Sequence, residues 1–251
     1  MNPFFQLHSG IPREGPGSDA STRRAIGALP PLSEAPRILD VGCGPGKQTL
    51  VLARALGGRI DAIDLHEPFL ERLRRAAADA GLGHLVTTRR LSMDALDYPL
   101  ESFDLIWSEG AAYVMGVGNA LRAWRPILRT GGCLAFTEPT WLTDAPPAEA
   151  AEIFSDYPGM TDVDGNLERA DRAGYDVLAH FTLPPEDWWA EYYGPLERRI
   201  AELRPTCAPG SELARVLDTE EHEIAVRRRH GASYGYVFFV LRRRAGGAHD
   251  R

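Results

Sequence analysis

The chain has 251 residues, 44% of them hydrophobic and 25% charged, with a formal net charge of −7. That length and apolar content suit one substantial α/β domain with additions. The acidic balance argues against a nucleic-acid binder, which normally shows a basic face, and no apolar run reaches the length of a membrane helix.

The opening MNPFFQLHSG lacks the basic region and long apolar run of a signal peptide. The three cysteines, Cys43, Cys133 and Cys207, form no disulfide framework or Cys-x-x-Cys pair. A cytoplasmic protein is the expectation. The histidines show no metal-ligand spacing, so no metal is expected. The stretch IPREGPG is rich in Pro and Gly, but Phe4, Phe5 and Leu7 before it point to an ordered arm packed on the domain. A short helix follows from a cap at Ser18 or Asp19 through Leu29, where Pro30 and Pro31 end it.

The next hundred residues alternate between strand and helix patterns. RILDV (37–41) reads as a strand, and KQTLVLARAL (47–56) as a helix stopped by Gly57 and Gly58. RIDAIDL (59–65) is a strand, followed by a helix from Pro68 to Ala80. HLVTTRRL (84–91) and FDLIWS (103–108) are strands. Val117, Leu121, Trp124 and Leu128 mark a helix bent by Pro126, and CLAFTEP (133–139) is a fifth strand. This alternation means a parallel sheet with helices on both faces. Beyond Pro139 comes an acidic, aromatic insert, then a strand over 175–183, helices over 186–203 and 211–227, and a strand over 233–243. The arginine runs Arg227–Arg229 and Arg242–Arg244 read as solvated ends of these last elements. The expectation is one domain over 1–251: arm and helix (1–33), core (34–138), cap insert (139–174) and C-terminal strands and helices (175–251).

The segment LDVGCGPGKQT (39–49) carries the chemistry. Gly42, Gly44 and Gly46 form a turn between a strand and a helix, where backbone N–H groups and the helix dipole favour an anionic or polar ligand. It is not a P-loop, because Val41 stands where the first glycine belongs and Gln48 follows Lys47. It is not a dinucleotide fingerprint, because Lys47 takes the place of the third glycine. A nicotinamide enzyme is therefore a distant reading.

The pattern LDVGCGPG instead resembles the first motif of class I S-adenosylmethionine-dependent methyltransferases, and further motifs follow in that family's order. Asp64 matches the acidic residue on the ribose hydroxyls, and Met93-Asp94 match positions beside the adenine. FDLIWSEG (103–110) matches the fourth motif, and LRTGGCLAF (128–136) the turn into strand five. The match covers residues 34–138; the arm IPREGPGSDAST and the segment WSEGAAY are similar to a bacterial small-molecule subgroup. The resemblance implies a Rossmann-like, doubly wound, seven-stranded sheet with its last strand antiparallel and a small helical cap. It implies S-adenosylmethionine as cofactor, with S-adenosylhomocysteine as product. The cofactor-site candidates are Asp40, Gly42, Cys43, Gly44, Gly46, Gln48, Thr49, Asp64, Leu65, Met93, Asp94 and Ser108. The acceptor candidates are Glu109, Tyr113, Glu138 and Trp141, with Glu109 and Tyr113 also the catalytic candidates.

The aromatic group Trp188, Trp189, Tyr192 and Tyr193 beside Glu191 reads first as cap packing and second as an acceptor pocket for a cationic or aromatic amine. A small-molecule N, O or S nucleophile is the expected acceptor, with no nucleic acid or membrane partner, for a monomer or homodimer. A non-catalytic binder of the same cofactor, or an aminopropyl transferase on the same fold, is the alternative.

Overall fold

Strand β1 (Arg37–Val41) has four consecutive buried residues, the pattern of a strand covered on both faces. The structure, a computed structural model describing residues 2–245, shows why. Met1 and residues 246–251, assigned above to the same domain, lie outside the described residues. With β2 (Arg59–Asp64), β3 (Val86–Arg90), β4 (Phe103–Ser108), β5 (Leu128–Trp141), β6 (Tyr175–Thr182) and β7 (Tyr234–Arg243), β1 builds one sheet in the order 3-2-1-4-5-7-6. The pairs β1–β2, β2–β3, β1–β4 and β4–β5 are parallel. Strand β7 runs antiparallel to both neighbours. The expected sheet, its antiparallel last strand included, is therefore present.

Side-chain alternation assigns the faces. Leu39, Val41, Ile106, Leu134, Phe136 and Phe239 meet α5 (Val117–Trp124) and α7 (Val163–Arg172) on one side. Ile38, Leu105, Trp107, Ala135 and Phe238 meet α2 (Asp19–Ile26), α3 (Lys47–Leu56) and α4 (Glu67–Asp79) on the other. A third cluster joins α1 (Pro3–Leu7) through Leu7 to α9 (Gly194–Leu203) and α10 (Glu212–His230) around Tyr193, Leu196, Leu217 and Ile224. The arm is thus ordered, as Phe4, Phe5 and Leu7 suggest, and its first turn is a helix.

Three differences from the sequence reading shape the fold, beyond shifts of one to three residues at other ends, such as α2 closing at Ile26 and α10 reaching His230. The helix marked by Val117 ends at Trp124; Pro126 has no N–H to continue the ladder, so residues 125–127 form a tight turn and Leu128 opens β5. Strand β5 runs past Pro139 to Trp141. Its pairing with β4 stops at Phe136, so on that side Pro139 has no strand to which it would donate, while it pairs with Tyr236 of β7 on the other. The helix expected over 186–203 is broken between α8 (Glu186–Trp188) and α9 by a widened turn, Trp189–Tyr193. There the Gly194 N–H reaches back five residues to the Trp189 carbonyl, and Pro195 follows with no N–H. The small helix α6 (Ala148–Ile153) and α7 make up most of the insert.

Trp124 ties this frame to the ligand crevice. Its ring is fully buried, and Nε1 donates to the Met93 carbonyl at 3.1 Å, fixing the loop after β3. Trp124→Phe keeps most of the packing and orphans that carbonyl, so denaturant unfolding should show a loss of about 1–3 kcal/mol. Unchanged stability would mean that the loop finds another donor.

Candidate active site

Strand order reverses between β1 and β4, which opens a crevice beyond their carboxyl ends. The glycine turn lies there. Gly42 (φ 68°), Gly44 (φ 52°) and Gly46 (φ 87°) all take left-handed conformations. A Cβ on Gly42 would come within 2.5 Å of the Ala111 Cβ, and one on Gly46 within 2.3 Å of Leu73 Cδ1. The Cys43 N–H donates to the Ile63 carbonyl at 2.9 Å and pins the turn to β2. Asp64, at the end of β2, accepts from the Gly44 N–H at 2.9 Å and the His66 N–H at 2.8 Å.

Two small cavities meet at this turn. Gly42, Cys43, Gly44, Gln48, Asp64, Met93, Glu109 and Tyr113 line one. Gly42, Asp64, Leu65, Met93 and Asp94 line the next, with Leu65 60% exposed at its edge. Asp94 accepts from the Ser92 hydroxyl at 2.5 Å. Ten of the candidates named from the sequence therefore converge.

Six others do not line these cavities. Asp40 is fully buried, and one of its oxygens accepts from the Thr49 hydroxyl at 2.5 Å. Burial pushes its carboxyl up to about 7. Thr49 is thereby engaged inside the fold, and Gly46 is packed on Leu73. Ser108 is buried and donates to the Val41 carbonyl at 3.0 Å, a bond that ties β4 to β1. Glu138 takes the Tyr157 hydroxyl at 2.5 Å, and burial raises its carboxyl to about 8. Trp141 packs edge-on against Phe154 and Tyr234.

Glu109 needs a different correction. It lines the first cavity, but its carboxylate already serves three donors: Arg13 Nη1 at 3.0 Å, Thr22 Oγ1 at 2.7 Å and Trp107 Nε1 at 2.9 Å. Burial raises its pKa, and Arg13, Thr22 and Trp107 only partly offset that. This is the environment of an anchor, not of a free base. The anchored group is the arm. Arg13 also binds Glu191 at 2.7 Å and Asp19 at 3.0 Å, and these carboxylates outweigh its burial. Beside it, the Glu14 side chain lies over Gly44. Glu14 also accepts from His8 Nδ1 at 2.8 Å, while His8 Nε2 lies 3.7 Å from Glu220.

A third, larger cavity of about 470 Å³ adjoins the first, and both are lined by Glu14, Gly110 and Tyr113. Tyr157, Trp188, Tyr192, Tyr193, Tyr234 and Tyr236 form much of its wall. Trp188, Tyr192 and Tyr193 pack in the cap, as the first reading has it, and also face the cavity. Trp189 does not line it and lies under Arg228, 4.8 Å from its guanidinium. Sequence reasoning missed Arg13, Glu14, Tyr157, Glu220, Glu223 and Tyr236 as site residues; the motif IPREGPG was the signal for the first two.

Residues 38–132 match the family model described as the methyltransferase domain. This region is similar to methyltransferase domains. The domain's relatives include the sarcosine/dimethylglycine N-methyltransferase of Halorhodospira halochloris, 31% identical over 53% of this chain and 49% of that protein. They also include the 27-O-demethylrifamycin SV methyltransferase of Amycolatopsis mediterranei, 28% identical over 76% of this chain and 62% of that one. The chain thus spans about half to three fifths of the length of these relatives. A solved methyltransferase from Geobacter sulfurreducens in complex with S-adenosylhomocysteine has the same fold, with a TM-score of 0.80, 23% identity and coverage of 97% and 98% of the two chains.

Arg13→Ala should release the arm. It leaves Glu109 buried with one charged partner gone, so equilibrium unfolding should show a loss of roughly 3–5 kcal/mol, and limited proteolysis should cut the arm first. Wild-type stability would place the Glu109 charge elsewhere. His8 supplies a pH signature. Burial alone would lower its pKa, but Glu14 and Glu220 together push it up to about 9 from 6.5. The folded value is the higher one, so this stabilisation is complete below the unfolded pKa and is lost as pH rises through about 9. Between those limits the wild type should lose on the order of 3 kcal/mol more than His8→Gln in denaturant titrations. Parallel pH profiles would remove the His8 pair from the fold's energetics.

Proposed function

We propose that the chain is an S-adenosylmethionine-dependent methyltransferase acting on a small molecule in the cytoplasm. The observation that carries this reading is the junction at Gly110 and Tyr113, where the cavity around the glycine turn meets the larger aromatic cavity. The first suits the cofactor. The bare backbone of Gly42 and Gly44 allows close approach, and the α3 N-terminus favours the amino-acid carboxylate. Asp64 would accept from the ribose hydroxyls, held in place by the Gly44 and His66 amides. Leu65 and Met93 would flank the adenine, with Asp94 at its amino group. When bound, the cofactor supplies a methyl already activated on a sulfonium.

The chain's own part is then to hold and orient. Tyr113 stands at the junction of the two cavities and is the residue best placed to touch the acceptor. Glu109 and Arg13 fix the arm over the turn, which positions Glu14 beside both ligands' sites. Positioning alone supplies much of the acceleration for a displacement of this kind. The free thiols of Cys43, Cys133 and Cys207 suit a reducing compartment.

Asp64→Ala should weaken S-adenosylhomocysteine binding by about 1–3 kcal/mol in titration calorimetry, through the lost charged acceptor and the loosened turn. Unchanged affinity would remove Asp64 from the cofactor site.

A further inference from the structure

The larger cavity has a marked chemical bias. Its volume of about 470 Å³ falls in the range of sites for drug-sized ligands. Four carboxylates line it, Glu14, Asp156, Glu220 and Glu223, against one basic side chain, His8. His8 sits between Glu14 and Glu220, so its charge is already shared by two of the four. Glu223 accepts from the Tyr193 hydroxyl at 2.7 Å, a neutral partner. Glu220 is 8% exposed, and its Oε2 has no hydrogen-bond partner among the described residues. A buried carboxylate oxygen in that state calls for a donor.

The walls add a second preference. Trp188 and Tyr234 already take one cation, with the Arg227 guanidinium 3.8 Å and 5.0 Å from their ring centroids. Arg227 itself does not line the cavity. Tyr113, Tyr157, Tyr192 and Tyr236 line the same space, and among the described residues no cation stands over their rings. Aromatic faces next to carboxylates recognise organic ammonium groups.

We propose that this cavity binds a small organic cation, an amine carrying an apolar or aromatic body, as the methyl acceptor, with the ammonium held by Glu220 and Glu223 and the body among Tyr113, Tyr157, Tyr192 and Tyr236. The inference rests on the methyl-transfer reading above and narrows it to nitrogen. The ammonium first gives its proton to a carboxylate of the Glu220–Glu223 pair. The freed nitrogen lone pair then forms the new N–C bond as the S–C bond breaks, and that electron pair leaves on sulfur. A hydroxyl acceptor would add no charge to the His8 cation that Glu220 already shares with Glu14, and an anionic acceptor would meet four carboxylates.

The test is titration calorimetry on the full chain, first with S-adenosylhomocysteine and then, with it saturating, with three probes of similar body: phenethylamine, phenethyl alcohol and phenylacetate. Phenethylamine, protonated at neutral pH, should bind at least about tenfold more tightly than the alcohol, and phenylacetate should not bind. Glu220→Gln should weaken the cation about tenfold and leave S-adenosylhomocysteine unchanged. Tyr113→Leu, at a rim position where folding is little affected, should weaken the cation severalfold. Equal binding of cation and alcohol, or cation binding indifferent to both variants, with S-adenosylhomocysteine still bound, would overturn the amine assignment and leave the methyl-transfer reading standing. No binding of S-adenosylhomocysteine would overturn that reading and the inference with it.

Discussion

The buried guanidinium of Arg13 is the contact on which the site depends. It joins the arm to β4 through Glu109, to α2 through Asp19 and to the widened turn before α9 through Glu191. Lys47, the first residue of α3, shares the Glu191 carboxylate at 2.8 Å. One arginine and one lysine therefore tie five segments around the glycine turn. Buried charges of this kind add little net stability over an apolar packing. What they add is specificity of placement, because a misplaced arm leaves Glu109 without its cation.

The arm in turn completes both cavities. Glu14 reaches over Gly44 on one side and contributes to the aromatic cavity on the other. Phe5 stacks on His66 with centroids 3.6 Å apart, and Arg72 donates to the Ile11 carbonyl at 2.5 Å, so α4 holds the arm from the cofactor side. Leu7 and Ile11 dock on the cap cluster from the other. A segment outside the parallel core thus decides how the core's crevice is bounded.

The parallel core was legible because its signals are local. RILDV, the glycine turn and DAIDL sit within 30 residues, and each element repeats with its own period. Asp64, Met93 and Asp94 could be placed because they follow strand ends in sequence. The arm's contacts were not legible, because the Arg13 bonds to Glu109 and Glu191 span 96 and 178 residues and no periodicity encodes them. For the same reason Glu109 looked like a free carboxylate after a strand. Glu220 and Glu223 were hidden in an acidic, arginine-rich helix whose pattern reads as solvated, although α10 turns that stretch toward the cap. Trp141 misled by position: it ends β5, but its ring goes to the cap rather than to the crevice.

Burial also changes how much charge these carboxyls carry. Glu138 is raised to about 8 and Glu223 to about 7, both mainly by desolvation, with the Glu220 charge adding to the second. Near neutral pH Glu138 is then largely a neutral acid that still accepts from the Tyr157 hydroxyl. Glu223 stands near its midpoint, where a carboxyl can accept a proton or release it with little bias. A cation entering beside Glu223 would favour its ionised form, and that ionised form would favour the cation, since the two equilibria are linked. The aromatic cavity therefore keeps its acidic lining partly discharged until a partner of opposite sign arrives, which limits the electrostatic strain of grouping four carboxylates around one histidine.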